Sequence, residues 1–276
     1  MNTNEASRDV RAHYDRVALR EGTRLQDPYR ASEALVLRAV VGGLLADRGP
    51  LSVVAEIGSG PGHYGPWLHS IAERVLCLDL SAVELAAVPG VRDTARIQAD
   101  ACRLPVADGR LDAVFLLGPH YHLPEAVDRR RMINEAVRVL VPGGLLVVAG
   151  LNRTGASVKT VWRCPRRAWR TRVLLGKALR ASVALPAGAL GDFPPAFLSD
   201  GHALRAELET AGLVDVSVHG CESFTVLAPG LARRARRGPR AGRALDALLV
   251  SSAPGRVSLA LSEHLLAVAR KPGPPG

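Results

Sequence analysis

The stretch Val53-Val54-Ala55-Glu56-Ile57-Gly58-Ser59-Gly60-Pro61-Gly62 decides the fold. It belongs to a short apolar run, Leu51 to Ile57, that ends in three alternate glycines. A run of this length bounded by turn residues reads as a strand buried on both faces. Glycines let the backbone approach a ligand closely, and a helix after them offers its N-terminal amides. Several nucleotide ligands use such a turn. A phosphate loop would end in Gly-Lys-Ser/Thr, but His63 follows Gly62. A dinucleotide fingerprint would need glycine at position 63. Neither pattern fits this turn.

Working outward, strands and helices alternate. Residues 1–48 read as helical, with Ala34, Leu35, Leu37, Val40 and Val41 on an apolar face. After the glycine turn come a helix from Tyr64 to Ala72, a strand from Arg74 to Leu80, and a helix from Ala82 to Ala87 that Ser81 can cap. A third strand is expected from Arg96 to Ala99 and a fourth from Leu111 to Leu117. An amphipathic helix from Glu125 to Leu140 leads through a Pro142-Gly143-Gly144 turn to a fifth strand, Leu145 to Leu151. Residues 153–198 break the rhythm and are too long for an ordinary loop, so they read as helical or as an inserted lid. Ser199 or Asp200 can cap a helix from Ala203 to Ala211; Leu213–Gly220 and His264–Arg270 supply strands six and seven, with a partly helical insertion between them. The tail from Lys271 is expected to be disordered. This alternation predicts an α/β fold: a seven-stranded Rossmann-like, mainly parallel sheet with a reversed last strand. Its parts are an N-terminal helical cap (1–48), a cofactor-binding core (49–152), the lid (153–198) and the rest of the core (199–271).

Glu56-Ile57-Gly58-Ser59-Gly60-Pro61-Gly62 resembles the first motif of class I S-adenosylmethionine-dependent methyltransferases, E/D-x-G-x-G-x-G. Four further stretches resemble that superfamily in the same order: Asp79 in Leu76-Cys77-Leu78-Asp79-Leu80-Ser81, then Asp100-Ala101, Leu111-Asp112-Ala113-Val114-Phe115, and Val139-Leu140-Val141-Pro142-Gly143-Gly144. More narrowly, Leu116–Leu123, Glu263–Lys271 and His13-Tyr14-Asp15-Arg16-Val17-Ala18 are similar to a bacterial subgroup acting on small molecules. The resemblance implies S-adenosyl-L-methionine as cofactor, held by Tyr14, Glu56, Gly58, Ser59, Gly60, Gly62, Asp79, Leu80, Asp100, Ala101 and Leu117. Asp79 would take the ribose hydroxyls, Asp100 the adenine amino group, and Tyr14 would cover the cofactor. Glu56 would either orient the turn or meet the ammonium end.

Methyl transfer needs an aligned nucleophile, and a base when the acceptor is a hydroxyl or a protonated amine. Histidine titrates near neutrality, so His120 and His122, after the fourth strand, are the catalytic candidates. His122 fits the subgroup pattern. His120 stands where members often carry Leu, and Leu198 where they often carry His, so the subgroup's substrate is not carried over.

The chain has 276 residues, 47% hydrophobic and 22% charged, so a buried core is expected. No apolar run is long enough to span a bilayer, and the N-terminus lacks a signal pattern, so a cytoplasmic protein without a membrane partner is expected. Cys77, Cys102, Cys164 and Cys221 are scattered, so no metal site is expected. The net charge of +10 is nearly all arginine, concentrated in Arg163–Arg180 and Arg233–Arg237. These runs read as solvated helix faces, and 4% aromatic content offers few stacking platforms for nucleic acid. The expected partner is a small-molecule methyl acceptor in natural-product metabolism, with oxygen or nitrogen as the accepting atom, carbon a further candidate, and a homodimer left open. Two alternatives are a non-methylating reaction such as cyclisation on the same fold, and RNA methylation.

Overall fold

The computed structural model describes residues 8–16, 28–46, 48–163, 165–190, 193–222, 225 and 229–273. Residues 8–16 form helix α1 and Pro28–Leu45 form α2, within the stretch read as helical. The glycine turn joins β1 (Leu51–Ile57) to α3 (Gly65–Ile71). There follow β2 (Ala72–Asp79), α4 (Ala82–Ala87), β3 (Thr94–Gln98) and β4 (Leu111–Leu116). Ser81 caps α4 as expected, its hydroxyl accepting from the Glu84 amide at 3.1 Å. A single 3-10 turn, Pro119–His122, separates β4 from α5 (Ala126–Val139), which runs into β5 (Leu140–Asn152). Three short helices come next, α6 (Arg153–Arg163), α7 (Pro165–Arg170) and α8 (Arg172–Ala178), then β6 (Val183–Leu185) and β7 (Ala196–Ser199). The chain closes with α9 (Gly201–Thr210), β8 (Val214–Gly220), α10 (Pro229–Arg236), α11 (Pro239–Ser252), α12 (Arg256–Leu261) and β9 (His264–Arg270).

The seven expected strands lie in the order β3-β2-β1-β4-β5-β9-β8, parallel except for β9, which runs against both β5 and β8. From β1 the chain winds outward through β2 to β3, then returns to β4 on the other side. The helices that follow β1 and β4 therefore pack on opposite faces of the sheet, α3 on one and α5 on the other, and leave a crevice at the strand ends. Side chains alternate across the sheet. Val54, Phe115, Val147 and Val268 pack toward Val36, Leu37 and Val41 of α2 and Leu68 of α3. Ala55, Val114, Val148 and Ala267 pack toward Met132, Ile133 and Ala136 of α5 and Leu204 and Leu208 of α9. Burial on both faces is why β1 reads as an unbroken apolar run.

The structure corrects three expectations. The sheet gains β6 and β7 from the inserted segment; β7 pairs with β5 at Leu151 and Asn152, past the end of β4's pairing at Val148. Pro142-Gly143-Gly144 is not a turn before a strand but an irregularity inside β5: Leu111 pairs with Leu140, and Ala113 already with Leu145. Gly143 takes φ +75° there, which a glycine tolerates. Lys271 is held rather than loose: its amide donates to Gly144 O at 2.9 Å and its Nζ to Leu140 O at 2.7 Å. Residues 274–276 of the tail lie outside the described residues.

Candidate functional site

The crevice is a cleft open to solvent, walled by the turns after β1, β2 and β4 and by helix α1. Its floor is the glycine turn. Gly58 and Gly60 take φ +71° and +53°. A Cβ at Gly58 would stand 2.6 Å from the Pro119 ring, so only glycine lets the loops after β1 and β4 meet.

Asp79, at the end of β2, ties this turn to the next. Its Oδ2 accepts from the Gly60 amide and its Oδ1 from the Ser81 amide, each at 2.8 Å. Burial pushes its carboxyl above the usual range; the amides of Ser81, Gly60 and Leu80 oppose that rise, and the Asp15 carboxylate adds to it. A carboxylate offers about four acceptor positions, so these amides leave capacity for a further donor, from which its charged form would gain. Asp79 lines the cleft, as do Leu80, Ala101 and Leu117. Asp100 lines it too, although its Oδ1 also accepts from the Cys102 amide at 2.8 Å, so it holds its own turn as well.

Helix α1 forms a second wall through Val10, Arg11 and Tyr14. It is fastened twice. The Ser81 hydroxyl donates to the Asp15 carboxylate, and Tyr14 Oη lies 2.8 Å from His122 Nε2. His122 is 5% exposed and lines the cleft, and its Nδ1 lies 3.3 Å from Pro195 O. A carbonyl can only accept, so a proton on Nδ1 suits this geometry and leaves Nε2 to accept from the Tyr14 hydroxyl.

The other candidates do not line the cleft. Glu56, Ser59 and Gly62 are neighbours of its lining residues, with Glu56 buried between Cys77 and Phe115. Gly62 packs against Val88 instead. The departure that matters most is His120. It is fully buried, its Nε2 lies 2.7 Å from Glu207 Oε2 on α9, and its ring stands edge-on to Phe197. Arg129 completes this cluster: its Nε donates to Glu207 Oε1 at 2.9 Å, its Nη1 to Leu123 O and Pro124 O, and its guanidinium lies over Phe197. His120 thus anchors the loop that presents His122, its ring bonded to α9 while that of His122 meets Tyr14 and Pro195.

Reading the sequence missed Arg11, Ser81 and Glu84 as cleft residues. Ser81-Ala82-Val83-Glu84 has the capping-box spacing, which was a usable signal for a buried carboxylate beside Asp79. Glu207 carried no signal, since its role depends on α9 meeting a distant loop.

Residues 55–148 match the methyltransferase domain family. The proteins named Probable tRNA methyltransferase 9B of Bos taurus and Homo sapiens are 34% identical over 104 residues, which is 38% of this chain but 22% of theirs. The demethylmenaquinone methyltransferase of Mycolicibacterium vanbaalenii is 32% identical over 145 residues, 49% of this chain and 57% of that protein. The chain thus spans only part of the curated relatives it matches. Among solved structures, the 1,6-didemethyltoxoflavin-N1-methyltransferase of Burkholderia thailandensis, solved with 1,6-didemethyltoxoflavin and S-adenosylhomocysteine, superposes with a TM-score of 0.59. It covers 99% of this chain and 91% of that one at 14% identity, a likeness of fold.

Proposed function

We propose that this chain, which carries a class I S-adenosylmethionine-dependent methyltransferase domain, transfers the cofactor's methyl group to an oxygen or nitrogen of a small molecule, with carbon as the remaining acceptor type. The observation that carries the reading is the Asp79 carboxylate, held by backbone amides at the mouth of a glycine turn with acceptor capacity to spare.

The residues fit the cofactor. No side chain at Gly58 or Gly60 fills the floor, Asp79 can accept from ribose hydroxyls, and Leu80, Ala101 and Leu117 offer an apolar slot for the adenine, whose amino group Asp100 can take. When bound, S-adenosylmethionine supplies a methyl with partial positive charge and a neutral thioether leaving group. The chain's own task is then alignment, exclusion of water and management of one proton. Tyr14 covers the cleft from α1. His122 receives the acceptor's proton at Nε2, directly or through the Tyr14 hydroxyl, while Pro195 O holds Nδ1–H and steadies the resulting imidazolium. His120 has no part in this step. Its bond to Glu207 keeps the loop in place.

The test has two arms. Calorimetry should detect S-adenosylhomocysteine binding, and turnover with a panel of phenols, amines and hydroxy acids should release one S-adenosylhomocysteine per product. Cofactor retained without its consumption would move the reading to a non-methylating reaction. No binding at all would end it.

A further inference from the structure

Helices α6, α7 and α8 pack on one another directly after β5, and their outer surface is both basic and apolar. Residues 153–180 contain nine basic residues and no acidic one. Arg153 pairs with Asp200 and Lys159 with Glu263, both outside the segment. Of the rest, Arg166, Arg170, Arg172, Lys177 and Arg180 are exposed. Between them stand large apolar side chains in water: Val161, Trp162 at 68% exposure, Trp169 at 69%, Val173 at 65%, and Leu179. The pattern is two-faced. On α8, Leu175 and Ala178 point inward, while helical spacing puts Val173 and Lys177 on the opposite face and Arg172 at its edge. The Arg172 guanidinium sits 4.4 Å over the Trp169 ring, joining α7 to α8.

We propose that this surface docks on an anionic lipid membrane, lying on it rather than crossing it. Interleaved tryptophan, aliphatic and arginine side chains suit the headgroup boundary, where apolar groups enter the acyl region and cations stay among the phosphates. A nucleic acid and a second copy of the chain each suit only half of the pattern. A phosphodiester backbone would use the arginines but leave Val161, Val173 and Leu179 in water. A second copy of the chain would cover the apolar groups but bring two like-charged faces together. Among the described residues no helix is long and apolar enough to span a bilayer, which is consistent with surface attachment. The exposure of the apolar residues between the arginines sets this surface apart from an ordinary solvated helix face.

The test is sedimentation of the full chain with vesicles of phosphatidylglycerol and phosphatidylcholine in equal parts, against phosphatidylcholine alone. It requires no methyl transfer, so it stands or falls apart from the function proposed above. The chain should pellet with the mixed vesicles only, and less as salt rises. Trp162 emission should shift to the blue on binding. The double variant Val161→Ser/Trp162→Ser and the triple variant Arg166→Glu/Arg170→Glu/Arg180→Glu should each weaken vesicle binding at least about tenfold, with thermal unfolding and S-adenosylhomocysteine binding unchanged. Absence of pelleting at low salt overturns the proposal. So does tighter binding to tRNA that Val161→Ser/Trp162→Ser leaves intact, which would assign the face to nucleic acid. Concentration-dependent self-association that this double variant abolishes, without lipid binding, would assign it to a second copy.

Discussion

Asp79 shows how one side chain can be both scaffold and contact. Its two amide bonds shape the glycine turn, and its remaining acceptor positions face the cleft. Asp79→Ala should weaken S-adenosylhomocysteine binding about 10- to 150-fold, the equivalent of about 1.5–3 kcal/mol for charge-assisted bonds. Calorimetry on the folded variant reads this, and an unchanged affinity would remove Asp79 from the ribose. The two histidines of the same loop should behave differently. His122→Ala should lower turnover about 100- to 10,000-fold on a hydroxyl or protonated-amine acceptor, and should remove an ionisation from the pH–rate profile. His120→Ala should leave that ionisation in place. If the profile of His122→Ala keeps the wild-type shape, alignment alone carries the reaction.

At the scale of elements, α6 is set by a contact that no local signal announces. A Cβ on Gly155 would lie 1.9 Å from Ser262 O and 2.4 Å from its carbonyl carbon, so the first turn of α6 is pressed against the chain entering β9. Asn152 secures the same place, its Nδ2 donating to Leu259 O at 2.6 Å and Ser262 O at 2.7 Å. Gly155→Ala must therefore move backbone rather than a flexible side chain. It should cost about 1–3 kcal/mol of stability, in line with overpacking elsewhere, and a lowered thermal midpoint would register it. An unchanged midpoint would mean that α6 can shift away, which its role in presenting the basic, apolar face would not survive unaltered. Within the sheet, β1, β2, β4 and α5 were legible because their apolar periods are strong. β6 and β7 were not, being three and four residues long and stabilised by a partner strand rather than by their own pattern.

For the whole molecule, the cluster of Glu207, His120 and Arg129 joins α9 and α5 to the loop after β4. Burial works to raise the Glu207 carboxyl, but the hydrogen bonds and charges of His120 and Arg129 outweigh it and hold the carboxyl below its usual range. A carboxylate depressed in the folded state stabilises it fully above its unfolded value, near pH 4, and the contribution disappears as pH falls through the lower folded value. Glu207→Gln should therefore unfold in less urea than wild type at pH 7, with a deficit of about 3 kcal/mol if the pair behaves as other broken buried pairs do. The difference should shrink well below pH 4. A gap of the same size at pH 7 and at pH 3 would mean that packing, not charge, holds the cluster.

Taken alone, the sequence determined the alternation of strands and helices, the glycine turn with its acidic partner one strand later, and the cofactor class these imply. Each rests on residues near one another along the chain, where backbone sterics and a repeating apolar period act directly. Tertiary structure alone decided which histidine meets the cleft. His120 and His122 are two residues apart and chemically identical, and only the arrival of Glu207 from α9 on one side and of Tyr14 and Pro195 on the other separates them. It likewise decided that the tryptophans of α6 and α7 face water instead of a core, because exposure depends on what packs against a helix, and that is set by distant parts of the chain.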